Sequence, residues 1–115
     1  MDALAPLSLA FVSVLHPEPA GDLVRGLRSR FGGIFLVNTG FSDATTRDEA
    51  VAMMSDSLAD AVVVGRAVIA NPHLVHRWKN ELEENEVNFT TLYAQGTLGY
   101  TDYPTHDAAE ALSRR

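Results

Sequence analysis

A parallel α/β fold built from three βα units is what this sequence predicts, and two observations predict it. Three short apolar runs recur along the chain, and each is followed by a stretch whose apolar residues repeat at helical spacing. Strands joined this way run parallel, with right-handed crossovers. An open doubly wound sheet and a part of a closed (β/α) barrel both satisfy that order.

The first apolar run, residues 7–15 (LSLAFVSVL), is rich in residues that suit a pleated sheet and is stopped by Pro17 and Pro19. Over residues 20–30, Leu23, Val24 and Leu27 stand three and four apart while Arg25, Arg28 and Arg30 lean to the other side, and Gly32-Gly33 ends the helix. The second run, residues 34–37 (IFLV), is apolar without alternation, as a strand covered on both faces would be. Thr46 precedes Glu49 by three residues, the spacing of a capping box, and opens a helix expected to reach about Leu58 with Val51, Met54 and Leu58 on one face. Met53 and Met54 read as core filler. The third run, residues 61–64 (AVVV), leads into Gly65-Arg66. Asn71-Pro72 reads as an N-cap with proline at the first helical position, followed by a buried stripe of Leu74, Val75, Trp78 and Leu82. Glu81, Glu83, Glu84 and Glu86 are expected on the solvent side of that helix end. The tail, from about residue 87 to 115, shows no clean period, so one partial unit with an irregular tail is the simplest partition.

The composition narrows the function classes. At 115 residues, 46% of them hydrophobic, the chain has the makings of one core. Nine Lys plus Arg against fifteen Asp plus Glu give a net charge of −6, which provides no basic field for nucleic acid. The absence of cysteine removes disulfides, thiolate metal sites and cysteine nucleophiles, and it fits a reducing, cytoplasmic setting. The apolar start ends at His16-Pro17, short of the ~18 residues of a membrane-spanning helix, and lacks the basic flank of a signal peptide.

In parallel α/β folds ligands gather at the carboxyl ends of the strands, which puts residues 38–41 and Gly65-Arg66 at one rim. Small residues at Thr39 and Gly40 let a bound group reach backbone N–H donors, and Arg66 offers a planar charged fork for phosphate oxygens. A Gly-Arg pair after a strand is equally a turn followed by a salt-bridged arginine, with Asp60 a carboxylate in reach. His73 and His76, three apart, are a possible metal pair, but no third ligand converges on them, and with His16 and His106 they read as surface or cap residues.

Three motifs in order decide among these readings. NTGF at residues 38–41, VVVGRAVIANPHLV at 62–75 and GYTDYP at 99–104 together resemble the C-terminal part of the Old Yellow Enzyme family, the FMN-dependent NAD(P)H oxidoreductases that include ene-reductases similar to N-ethylmaleimide reductase. LAFVSVLHPEP, residues 9–19, resembles the strand before this region. The resemblance covers residues 9–105 and implies the last part of a (β/α)8 TIM barrel, strands six to eight. It implies FMN as cofactor and NAD(P)H as hydride donor, with Thr39, Gly40, Gly65 and Arg66 at the positions of the flavin-phosphate contacts. Tyr93, in TLYAQG, matches an aromatic that lines the flavin in relatives.

The resemblance also implies what is missing. The family's paired substrate-binding His/His or His/Asn, its tyrosine proton donor and its contacts to the flavin ring lie on strands upstream, and ~250 residues are typical of a full barrel. Relatives commonly have Glu where this chain has His16 before Pro17. No catalytic residue is therefore expected here, and turnover is expected only with a complementing N-terminal barrel chain, or after self-association that covers open edges. The alternative is a non-catalytic binding or assembly module, or a truncated remnant.

Overall fold

The computed structural model of the chain describes residues 1–39 and 43–114. It divides into two compact units, Met1–Val64 and Gly65–Arg115. The first unit has the order β1 (Val12–Leu15), α1 (Asp22–Phe31), β2 (Phe35–Asn38), α2 (Arg47–Ser55), β3 (Ala61–Val62). Its three strands form one parallel sheet in the order β1-β2-β3, with Val12 opposite Phe35 and Leu36 opposite Ala61. The predicted βα alternation is thus realised, with shorter strands.

Alternation along the strands sorts the side chains. Val12, Val14, Phe35, Val37 and Val62 point to the face covered by Val24, Leu27 and Phe31 of α1 and Met53 of α2, joined by Leu58 and Ala59. Because helices cover that face alone within the unit, the continuous apolar run 34–37 is not buried on both sides as expected: Ile34 is 55% exposed and, across the sheet, Leu15 is 42% exposed. The first strand is also shorter than the run that predicted it. Residues Ala5–Leu7 form a 3-10 turn closed by Ser8 in the left-handed region (φ 53°), because the ladder to β2 begins only where Val12 N–H donates to Ile34 O at 3.0 Å.

Helix α1 ends on Gly32 at φ 70°, as the Gly-Gly pair predicts. Helix α2 opens on the predicted capping box, with Glu49 N–H donating to Thr46 Oγ1 at 3.2 Å and Thr46 N–H to Glu49 Oε2 at 2.8 Å. Its buried face is Ala50 and Met53, whereas Val51 and Met54 are exposed. The expected stripe fails because the helix stops at Ser55 and Ser57 turns left-handed (φ 56°), so Leu58 returns to the core from beyond a chain reversal and donates its N–H to Met53 O at 3.0 Å.

Asp60 ties the base of the sheet together. Its carboxylate accepts two N–H groups of Arg28 on α1, at 2.5 and 3.0 Å, and the backbone N–H of Phe35 at 2.8 Å, while the Arg28 guanidinium lies 5.7 Å from the Phe35 ring centre. This is a bidentate pair of the strong kind. The Arg28 hydrogen bonds, reinforced by the Phe35 N–H, lower the Asp60 carboxyl to about 2. An unfolded aspartate titrates near ~3.9. With the folded value depressed, the contribution is fully present above the unfolded pKa and is lost as pH falls through the folded one. Acid unfolding followed between roughly pH 5 and 2 should therefore show a stability loss that Asp60→Asn lacks, and equal pH profiles for the two proteins would refute the role of the pair.

The second unit contains α3 (Arg66–Ala70), α4 (Leu74–Lys79) and α5 (His106–Ser113), the last within the stretch expected to be irregular. Asn71 is not the N-cap of α4. His73 occupies that position in the left-handed region (φ 60°), and Asn71 is 1% exposed, donating to Ala67 O at 2.9 Å and accepting Asn85 N–H at 2.5 Å. The buried face of α4 is Leu74 with Arg77, while Val75 is 80% exposed and Trp78 is half-buried. Leu82 lies past the helix end. The chain turns at Glu81 (φ 54°), so the glutamates follow the helix instead of decorating it, and Glu84 accepts Trp78 Nε1–H at 2.7 Å.

Candidate flavin-phosphate site

The candidate site residues fall in both units. Thr39 follows β2 directly, at the carboxyl end of the strand, half-buried, with its hydroxyl hydrogen-bonded to that of Thr45 at 2.8 Å. Gly40 lies outside the described residues. Gly65 and Arg66 come next after residues 63 and 64, which follow β3; Val63 N–H still donates to Val37 O at 2.8 Å, so the chain leaves the sheet at the carboxyl end of its strands. A Cβ placed on Gly65 would meet nothing within 4 Å, so the backbone there is open to a bound group. Arg66 is half-buried, its guanidinium 5.9 Å from the Phe89 ring centre. The Asp60 carboxylate is held by Arg28.

Tyr93 is 77% exposed and lines, with Leu92, Ala94, Gly96 and Tyr100, an open cleft of about 380 Å³. His16 Nδ1 accepts the backbone N–H of Glu18 at 3.0 Å, and His76 pairs with Asn80 on its own helix. His16 is half-buried, and His76 and His73 are exposed. Among the described residues no three His, Asp or Glu side chains are placed to hold a metal ion, and no helix is long and apolar enough to cross a membrane.

The sequence reading passed over the polar framework of the second unit. Arg77, 1% exposed, donates to the carbonyls of Pro72 (3.1 Å), Glu83 (2.7 Å) and Pro104 (2.9 Å), and Asn85 donates to those of Ala70 (2.9 Å) and Pro104 (2.8 Å). One sequence signal was there to be used: Arg77 stands three residues after Leu74 and so shares its face.

Within the second unit, Gly65 offers a backbone N–H with open approach and Arg66 a guanidinium, groups of the kind that bind phosphate oxygens. Comparison with known proteins bears on what carries that phosphate. No family model matches the chain. It is 34% identical over 88 residues to 12-oxophytodienoate reductase 1 of Oryza sativa subsp. japonica, covering 76% of this chain and 22% of that protein. It is 31% identical over 100 residues to a Leishmania infantum protein named "probable flavin mononucleotide-dependent alkene reductase", covering 84% of this chain and 26% of that one. The structure of the old yellow enzyme from Trypanosoma cruzi superposes with a TM-score of 0.76 at 32% identity, over 91% of this chain and 28% of that one. The chain matches a fragment of the Old Yellow Enzyme family.

The family explains the architecture: three parallel strands with their helices are an α/β fragment of the barrel that Old Yellow Enzymes form. The chain spans about a quarter of the length of the curated relatives it matches. One of them is named a 12-oxophytodienoate reductase and the other a probable flavin mononucleotide-dependent alkene reductase. FMN ends in a phosphate, a group whose oxygens a guanidinium and a glycine N–H, such as those of Arg66 and Gly65, are chemically suited to bind.

Proposed function

We propose that this chain is the C-terminal, flavin-phosphate-binding portion of an FMN-dependent NAD(P)H oxidoreductase of the Old Yellow Enzyme family. The observation that carries this reading is the pair Gly65-Arg66 two residues beyond the third strand, an open glycine backbone beside an arginine, in a chain similar to a probable flavin mononucleotide-dependent alkene reductase. It agrees with the general habit of (β/α) barrels of binding phosphate in the loops after strands seven and eight. By the family resemblance, Thr39 and Gly40 of the first unit and Gly65 and Arg66 of the second are the candidate phosphate-binding residues, with Arg66 the group that would balance the charge. Tyr93 lines the flavin side of the site.

The chemistry that FMN would supply when bound is relay of a hydride between NAD(P)H and an activated alkene. The part of this chain is to anchor and orient the cofactor by its phosphate, remote from the reacting atoms, which sets the geometry that catalysis requires. Turnover then depends on a complementing N-terminal barrel chain, or on association of copies, to supply the substrate-binding and proton-donating groups. Leu15 on β1 and Ile34 just before β2, both exposed, give such an association apolar surface to cover.

Replacing Arg66 by Ala is expected to weaken FMN binding by the ~1.5–3 kcal/mol of a hydrogen bond to a charged group, read by quenching of flavin fluorescence in a titration. Arg25→Ala is the control. Arg25 lies on α1, where its Nε donates to Ala20 O at 2.8 Å, and its loss should leave FMN affinity unchanged. Equal FMN affinity of the Arg66→Ala variant and the parent chain would end the phosphate reading.

A further inference from the structure

Helix α3 is five residues long, little more than one turn, and a helix that short does not hold itself together in water. Its first turn is closed by Ile69 N–H donating to Gly65 O at 3.1 Å. Its far end is held by side chains. Asn71 Nδ2 donates to Ala67 O and Asn85 Nδ2 to Ala70 O, each at 2.9 Å, so two carbonyls of the kind a helix end leaves open each receive an amide. The two asparagines also grip each other: Asn85 N–H donates to Asn71 Oδ1 at 2.5 Å, and Asn71 Nδ2 donates to Asn85 O at 3.4 Å. Asn71 is 1% exposed, and a buried amide is costly unless its hydrogen bonds are made. Those of its side chain go to α3 and to Asn85.

We infer that Asn71 and Asn85 are positioning residues for the flavin phosphate, their interlocked amides fixing α3 and with it the Gly65-Arg66 backbone offered to the anion. The inference rests on the phosphate reading above and adds the lock that sets the geometry of that backbone. A Cβ on Gly65 would meet nothing within 4 Å, so packing on that side does not hold the residue, and its place is inherited from the turn that follows. A binding constellation has to be held to within about 0.5 Å for its groups to act together, which an unsupported single turn does not provide. Asn85 also reaches a distant segment, its Nδ2 donating to Pro104 O at 2.8 Å, but that carbonyl accepts Arg77 Nη2 as well, at 2.9 Å. Replacing Asn85 therefore frees the end of α3 while Pro104 keeps a donor.

The test uses the full chain titrated with FMN and with riboflavin, which lacks the phosphate. Asn85→Leu, similar in bulk and without the amide, should weaken FMN binding about three- to tenfold, the equivalent of one net hydrogen bond, and leave riboflavin binding unchanged. Asn71→Leu should do the same. In the unsubstituted protein, linkage requires the reverse effect: saturating FMN, and not riboflavin, should slow solvent exchange of the Asn71 and Asn85 side-chain amide protons, read by NMR. Folded Asn85→Leu binding FMN as the parent does, while Arg66→Ala binds it weakly, would overturn the lock and leave the phosphate reading standing. Equal losses of FMN and riboflavin affinity in Asn85→Leu would also overturn it, since they would mark a general structural part. Unchanged FMN affinity in Arg66→Ala, or no FMN binding by the parent chain, would overturn both. Side-chain amide exchange that FMN leaves unchanged in the parent would overturn the lock even if both leucine variants failed to fold.

Discussion

Arg77→Ala is expected to unfold the second unit far more readily than any surface substitution, with a loss on the order of 3–5 kcal/mol, the range found when a buried charged group is cut out of its hydrogen-bond partners. The guanidinium is 1% exposed, and all three of its hydrogen bonds go to backbone carbonyls, of Pro72 at the entry to α4, Glu83 beyond its end, and Pro104 before α5. No carboxylate appears among these partners, so the charge is compensated by oriented carbonyl dipoles. Truncation leaves those carbonyls short of a donor and opens a cavity the size of an arginine stem. Arg77→Lys keeps the charge but has no planar fork with which to span three separated carbonyls, so it should recover only part of the loss. Denaturant unfolding followed by Trp78 fluorescence measures both variants, and a loss below about 1 kcal/mol for Arg77→Ala would show that the clamp is dispensable.

The second large effect is expected from a single methyl group. Gly99 has φ 67°, and a Cβ there would overlap Thr91 Oγ1 and stand 2.5 Å from Thr91 Cβ. Gly99→Ala therefore combines a left-handed conformation, which costs a side chain roughly 1–2 kcal/mol, with overpacking worth roughly 1–3 kcal/mol. The turn it closes is held by Gly99 N–H donating to Asp102 Oδ1 at 2.7 Å, so the damage falls on the segment that carries Tyr93 and Tyr100. Adding Thr91→Gly to Gly99→Ala removes the overlap and should return the steric part while the conformational part remains. Gly26 is the contrast. It lies inside α1 with nothing within 4 Å of a Cβ, so Gly26→Ala should stabilise by about 0.5–1 kcal/mol through helix propensity. Thermal unfolding that ranks Gly99→Ala at or above the parent would refute the close approach.

Much of this was legible in the chain itself. The β-α-β-α-β order, the Thr46–Glu49 capping box and the Gly32 helix stop were all readable, because strand and helix periodicity, caps and glycine stops are local properties that a few neighbouring residues determine. The family, too, was readable from three motifs in order. What local pattern could not give is which residues of an apolar stretch meet the core. Val51 and Met54 lost that place to Ala50 and Met53, and Val75 to Arg77, because each helix stopped early at a left-handed residue, Ser57 or Glu81, and the chain returned from a direction that spacing does not encode.

The polar framework was hidden for a different reason. Arg77 and Asn85 stand 27 and 19 residues from their carbonyl partner Pro104, and Asn71 stands 14 from Asn85, and hydrogen bonds over such separations leave no periodic trace. An arginine in a helical stripe reads as solvated until the tertiary fold brings carbonyls around it. The sequence by itself determined the elements, their parallel order and the residue types offered to a phosphate. Only the tertiary structure decided that Asp60 is held by Arg28, that Arg77 is a core residue, and that Arg66 rests against Phe89, since each of these depends on a long-range approach whose energy is realised only after the backbone has been folded.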